Sequence, residues 1–66
     1  MVIMVNGRET LLEEGLTLAG FVAAKGFDPE TVVIERNQAV AVRGQWADIA
    51  LQPGDVLEIV SFVGGG

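Results

Sequence analysis

Leu18, Phe21 and Val22 fall at i, i+3 and i+4, forming one short helical stripe in a chain whose other apolar runs alternate or are β-branched. That stripe constrains the fold more than any other feature. At 66 residues the chain is near the lower size at which one core supports folding. With a single helix available, a core can form only by laying that helix across one face of a sheet. Half of the residues are hydrophobic, enough to build such a core and to argue against wholesale disorder.

The helix has readable ends. Thr17 is its N-cap, and Gly26 follows the last basic residue, Lys25, where a terminator belongs. Gly20 in its interior costs about 1 kcal/mol relative to Ala. Before it, residues 1–6 are a strand, Asn6-Gly7 is a hairpin turn tolerant of positive φ, and residues 8–12 return antiparallel. Glu13-Glu14-Gly15 breaks the pattern. After Phe27-Asp28-Pro29, residues 31–36 form a strand, Asn37-Gln38 a turn, and residues 39–42 a returning strand. Residues 43–50 are irregular, with a short helical turn anchored by Trp46. Gln52-Pro53-Gly54-Asp55 places Pro and Gly as a type II turn wants them, and residues 56–63 are the last strand.

Alternation assigns faces. The inward face carries Ile3, Val5, Val32, Ile34, Val40, Leu57 and Ile59, with Leu18, Phe21 and Val22 closing over them. Glu58, Val60 and Phe62 then point the other way. With one helix, that outer face meets solvent, and Val60 and Phe62 become exposed apolar groups of the kind that mark docking surfaces. The alternative is that Phe62 folds back over the sheet edge. Glu35, Glu58 and Arg36 read as solvated sheet-face charges.

The absences exclude whole classes of chemistry. The sequence has no Cys, His or Tyr, so a thiolate nucleophile, a disulfide framework and a Cys/His zinc site are ruled out. The glycine spacing matches no phosphate-binding loop. A net charge of −5 disfavours nucleic acid as a partner and fits steering toward a basic protein surface. No apolar run is long enough to cross a bilayer and the first residues lack a signal peptide's basic region, so a cytoplasmic protein is expected.

The last strand runs directly into Gly64-Gly65-Gly66. The expected organisation is a domain over residues 1–63 and a flexible tail over residues 64–66. Three extended glycines reach about 10 Å, can enter a channel too narrow for side chains, and would present the carboxylate of Gly66 at their tip. The plain alternative is a frayed end.

The opening MVIMVNG, the central VIERN, the Trp46 segment and the ending VLEIVSFVGGG together resemble the ThiS family, the sulfur carriers of thiamine biosynthesis. The likeness covers the whole chain. It implies an α+β fold of the β-grasp or ubiquitin-like type: a mixed sheet of about five strands, one main helix on one face, and the first and last strands parallel at the centre. It implies a carrier and not an enzyme, with no catalytic residue, metal or bound cofactor of its own. Gly66 would be adenylated by a ThiF-like adenylyltransferase that uses ATP. It would then take sulfur from a donor such as a cysteine desulfurase and deliver it as a thiocarboxylate to a ThiG-like thiazole synthase. Gly64 and Gly65 would thread the tail, and Val60, Phe62 and Val63 would help dock the body. The small subunit of molybdopterin synthase is the related alternative. A ubiquitin-like protein modifier and an inert interaction domain are the others.

Overall fold

The computed structural model describes residues 1–62. Five strands and two helical segments follow in the order β1 (Val2–Val5), β2 (Arg8–Leu11), α1 (Leu18–Lys25), β3 (Val32–Arg36), β4 (Ala39–Val40), a 3₁₀ helix (Arg43–Asp48) and β5 (Val56–Ser61). The sheet order is β2-β1-β5-β3-β4, with β1 and β5 parallel and every other neighbouring pair antiparallel. The last strand in the chain is thus the middle strand of the sheet, as the β-grasp likeness implies.

Turn chemistry sets the two hairpins. Asn6 and Gly7 take φ of 50° and 80°, the positive pair that a two-residue turn between twisted strands requires, and this pairs Val5 with Arg8. Asn37 and Gln38 do the same at 52° and 73°, pairing Arg36 with Ala39 and Glu35 with Val40. Gly54, at 84°, completes the turn in which the Asp55 N–H donates to Gln52 O at 3.1 Å.

Helix α1 begins and ends where its caps dictate. The Gly20 N–H donates to Thr17 Oγ at 3.0 Å. At the far end Gly26 adopts φ 75°. Its N–H donates to Ala23 O, and the Phe27 N–H reaches Val22 O, each at 3.1 Å. This paired arrangement needs a left-handed residue, and glycine takes that conformation without a Cβ clash. Gly20 has its own reason. A Cβ there would lie 2.9 Å from Leu16 Cδ1 and 3.3 Å from the capping Thr17 hydroxyl, so the missing side chain makes room for the cap.

One layer of side chains fills the space between helix and sheet: Ile3, Leu18, Phe21, Val22, Val32, Ile34, Leu57 and Ile59, extended by Trp46 and Leu51. Val5 packs against this core half-buried. Trp46 anchors the 3₁₀ helix as expected, its indole N–H donating to Ala41 O at 2.9 Å. Backbone bonds from Leu18 N to Ile49 O and from Leu51 N to Leu16 O strap the start of α1 to the segment before β5.

One core assignment is corrected. Val40 was expected to face inward but is 63% exposed, and Ala41 packs against the core instead. The reason is hairpin arithmetic: with Asn37-Gln38 as the whole turn, Val40 sits opposite the outward Glu35, so its neighbour Ala41 points in. The returning strand is also shorter than residues 39–42; beyond Val40 only the Ala41 N–H to Ile34 O bond continues the ladder.

The cap at Thr17 gives a direct test. Thr17→Ala leaves the Gly20 N–H without its acceptor at the helix start that carries Leu18 and Phe21. Urea unfolding should show a loss of about 1 kcal/mol, with an unchanged m value.

Candidate functional site

The candidate site is built on β5, and its geometry depends on the residues that hold that strand. Asp55, the residue before the strand, is 5% exposed and is the buried charged group of the core region. Its Oδ2 accepts from Arg36 Nε at 2.9 Å and from the Gln52 N–H at 2.8 Å, and its Oδ1 accepts from Asn37 Nδ2 at 3.1 Å. Burial alone would raise the pKa of this carboxyl. The Gln52 N–H, the Asn37 amide and the Arg36 guanidinium together outweigh it and hold Asp55 below its ordinary value of 3.8. Arg36 is therefore not the solvated sheet-face charge expected from sequence. Alternation puts it on the same face as Val32 and Ile34, at the end of the sheet where the core gives way to Asp55.

Two asparagines clamp the strand itself. The Asn37 N–H donates to Val56 O at 2.8 Å, while the Val56 N–H donates back to Asn37 Oδ1 at 2.9 Å. On the other side of β5, the Ile59 N–H donates to Asn6 Oδ1 at 2.7 Å and Asn6 Nδ2 donates to Ile59 O at 3.3 Å. Asn6 thus satisfies β5 backbone groups just where β1 turns away. Sequence reasoning saw both residues only as turn formers. Asn at a turn flanking a strand is a signal that could have raised the second role, but the partner strand lies 53 positions away in the Asn6 case.

So held, β5 divides its side chains as alternation requires. Leu57 and Ile59 are buried, while Val60 is 54% and Phe62 58% exposed on the outer face. Phe62 does not fold back into the core; its N–H bonds Thr31 O at 2.6 Å and extends the ladder with β3. Val33, directly opposite Val60, is exposed too, and Val40 and Val42 continue the apolar surface at the sheet edge. The next rung carries Glu35 opposite Glu58, both exposed. The structure therefore brings Val60 and Phe62 together on one face, at the end of β5 that leads toward the remaining sequence-predicted residues. Those residues, Val63, Gly64, Gly65 and Gly66, lie outside the described residues.

The opposite side of the sheet has a shallow cleft of about 330 Å³ between the first hairpin and α1, lined by Val5, Phe21, Phe27, Arg8 and Lys25 among others. Two of the four basic residues are thus on the helix side. No helix among the described residues is long and apolar enough to cross a membrane.

Comparison with known proteins agrees with this architecture. A family model described as the ThiS family matches residues 2–66. The sulfur carrier protein ThiS of Bacillus subtilis is 29% identical over 65 residues, which is 97% of this chain and 98% of that protein. A protein named thiazole synthase from Magnetococcus marinus is 46% identical over all 66 residues of this chain. Another of that name, from Paramagnetospirillum magneticum, is 35% identical over the same span. The chain spans only 20% of the length of each of these two. Among solved structures, the crystal structure of the thiamine biosynthesis protein ThiS of Geobacter metallireducens superposes with a TM-score of 0.84 at 30% identity, covering 100% of both chains.

The Asp55 network predicts a signed pH dependence. A carboxyl whose pKa is lower in the folded than in the unfolded chain contributes stability above the unfolded value, lost as pH falls through the folded one. Wild-type stability should therefore drop as pH falls below about 3.8. Asp55→Asn should cost about 1.5–3 kcal/mol at neutral pH and flatten that acid-side drop, as read by urea unfolding across pH.

Proposed function

The chain belongs to the ThiS family, and on that footing we propose that it is a sulfur carrier of thiamine biosynthesis, a co-substrate of partner enzymes rather than an enzyme itself. The observation that carries this reading is the end-to-end family match, which takes in Gly64, Gly65 and Gly66 as well as the folded body. Where the working form of the protein ends at Gly66, the carboxylate of that residue is the attachment point. An ionised carboxylate is a poor electrophile, and a C-terminal one is ionised near neutral pH. A ThiF-like adenylyltransferase activates it: a carboxylate oxygen attacks the α-phosphorus of ATP, pyrophosphate leaves, and an acyl-adenylate forms. The terminal sulfur of a desulfurase persulfide then displaces AMP, and thiol cleavage of the S–S bond leaves a thiocarboxylate on Gly66. The partner supplies the nucleotide site, and the reaction takes place in the cytoplasm.

The fold's part in this chemistry is presentation. Gly64 and Gly65 pass through a channel without side chains to obstruct it. Val60, Phe62 and Val63 rest on the partner while the Asp55 and asparagine clamps hold β5 in register. Thiazole synthase as the recipient of the sulfur is supported by the two relatives of that name, in which a region like this chain makes up a fifth of the polypeptide.

Intact mass after incubation with the adenylyltransferase, ATP, a desulfurase and cysteine tests the chemistry. One oxygen exchanged for sulfur on a chain ending at Gly66 is the expected result. A conjugate to a lysine of another protein would point instead to a modifier, and an unchanged mass to an inert domain. A variant extended beyond Gly66 should keep its unfolding midpoint and gain no sulfur; sulfur gain by that variant would remove Gly66 from the mechanism.

Phe62→Ala separates docking from folding. The side chain is more than half exposed, so stability should change by no more than about 0.5 kcal/mol. Affinity for the adenylyltransferase should fall about tenfold or more, as for an aromatic anchor at an interface.

A further inference from the structure

We propose that the Glu35–Glu58 rung on the outer face is the electrostatic half of the docking surface, and that its occupant is a guanidinium or ammonium of the adenylating enzyme. This inference rests on the sulfur-carrier reading and adds the chemistry of the partner's contact. Three observations carry it. Glu35 and Glu58 are paired directly across β3 and β5, both exposed, and neither has an ion-pair partner among the described residues. Like charges directly opposed in a sheet destabilise it, so the free domain holds this rung against a local repulsion.

Among the described residues no base of the chain pairs with this rung. Arg8 and Lys25 line the helix-side cleft, Arg36 is bound to Asp55, and Arg43 lies over the Trp46 ring and reaches Glu30 at 4.0 Å. Glu9, paired with outward Met4, adds a third acid to the outer face. Charge is thus uneven: the face that presents Val60 and Phe62 carries three acids, and the base nearest to it, Arg43, lies at the sheet edge beside Val33, Val40 and Val42.

The rung is also placed in register with the apolar patch. Going down the ladder from Phe62, the next rung is Val60 with Val33, and the one after is Glu58 with Glu35. Successive rungs on one face are about 7 Å apart. A partner that covers Val60 and Phe62 with apolar groups meets the two carboxylates one step farther from the tail. An arginine there can bridge both with charge-assisted hydrogen bonds and relieve the repulsion between them.

The two relatives named thiazole synthase favour the activating enzyme over the synthase as the occupant. In relatives where a domain like this one is part of a thiazole synthase polypeptide, the synthase is already tethered at high effective concentration. The activating enzyme must be met by diffusion, the step that opposite charge accelerates.

The test uses the full chain and its E35Q, E58Q and double variants, with a ThiF-like adenylyltransferase and a thiazole synthase from the same source. Each single change should raise the thermal midpoint by about 1–4 °C, because a like-charge pair is removed. The double variant should bind the adenylyltransferase about tenfold more weakly, with a shallower dependence of affinity on salt. Its kcat for adenylation at saturating carrier should be unchanged, and its affinity for the synthase should stay within about twofold. A double variant that binds the adenylyltransferase with wild-type affinity and salt dependence overturns the proposal while leaving the carrier reading intact. A loss confined to the synthase overturns the choice of occupant. A wild-type chain that is never adenylated overturns both readings.

Discussion

The molecule depends on how β5 is held. It follows the other strands in sequence, yet it lies between β1 and β3, so the hydrogen-bonded ladder of the sheet passes from one half to the other through its backbone. Its parallel pairing with β1 is short, two registered residue pairs against five with β3. Side chains make up the difference. Asp55 gathers Arg36, Asn37 and Gln52 at the strand's start, Asn37 closes on Val56, and Asn6 closes on Ile59. These contacts join segments distant in sequence. They also fix the strand's rotation, because a one-residue slip would exchange the buried Leu57 and Ile59 for the outward Val60 and Glu58.

The same smallness that demands such clamps leaves a surface free. A single helix covers a single face, and the core it closes is one layer of side chains deep. Among the described residues nothing covers the outer face, so Val33, Val60 and Phe62 are exposed beside an acidic rung. Isolated exposed apolar residues are ordinary on proteins. Here they form adjoining rungs at the end of the central strand, leading toward the glycines at positions 64–66. Fold and presentation are therefore one problem: the strand that completes the core also delivers the chain that follows it.

Local chemistry was readable wherever a residue's role depends on its immediate neighbours. Thr17 and Gly26 marked the ends of α1, and Asn6-Gly7 and Pro53-Gly54 marked turns, because caps and turns are made within a few residues. Alternation in β5 placed Phe62 outward for the same reason. Val40 was misplaced although the information was present: a two-residue turn at Asn37-Gln38 already ties it to Glu35, and pairing parity outweighs hydrophobicity. Gly20 looked like a defect on helix propensity alone; only the closeness of Leu16 and the Thr17 hydroxyl supplies its reason.

By itself the sequence determined the element order, the helix caps, the turn positions and the two faces of the last strand, since periodicity and turn stereochemistry act over a few residues. It also barred cysteine and histidine chemistry through composition. Only the tertiary structure decided that Arg36 is tied to a buried carboxylate, that Asn6 and Asn37 clamp β5, and that Glu35 and Glu58 stand opposed with no ion-pair partner among the described residues. Those facts depend on strand register between segments far apart in the chain. Such register is set by the packing of the whole core, a property no short window of residues contains.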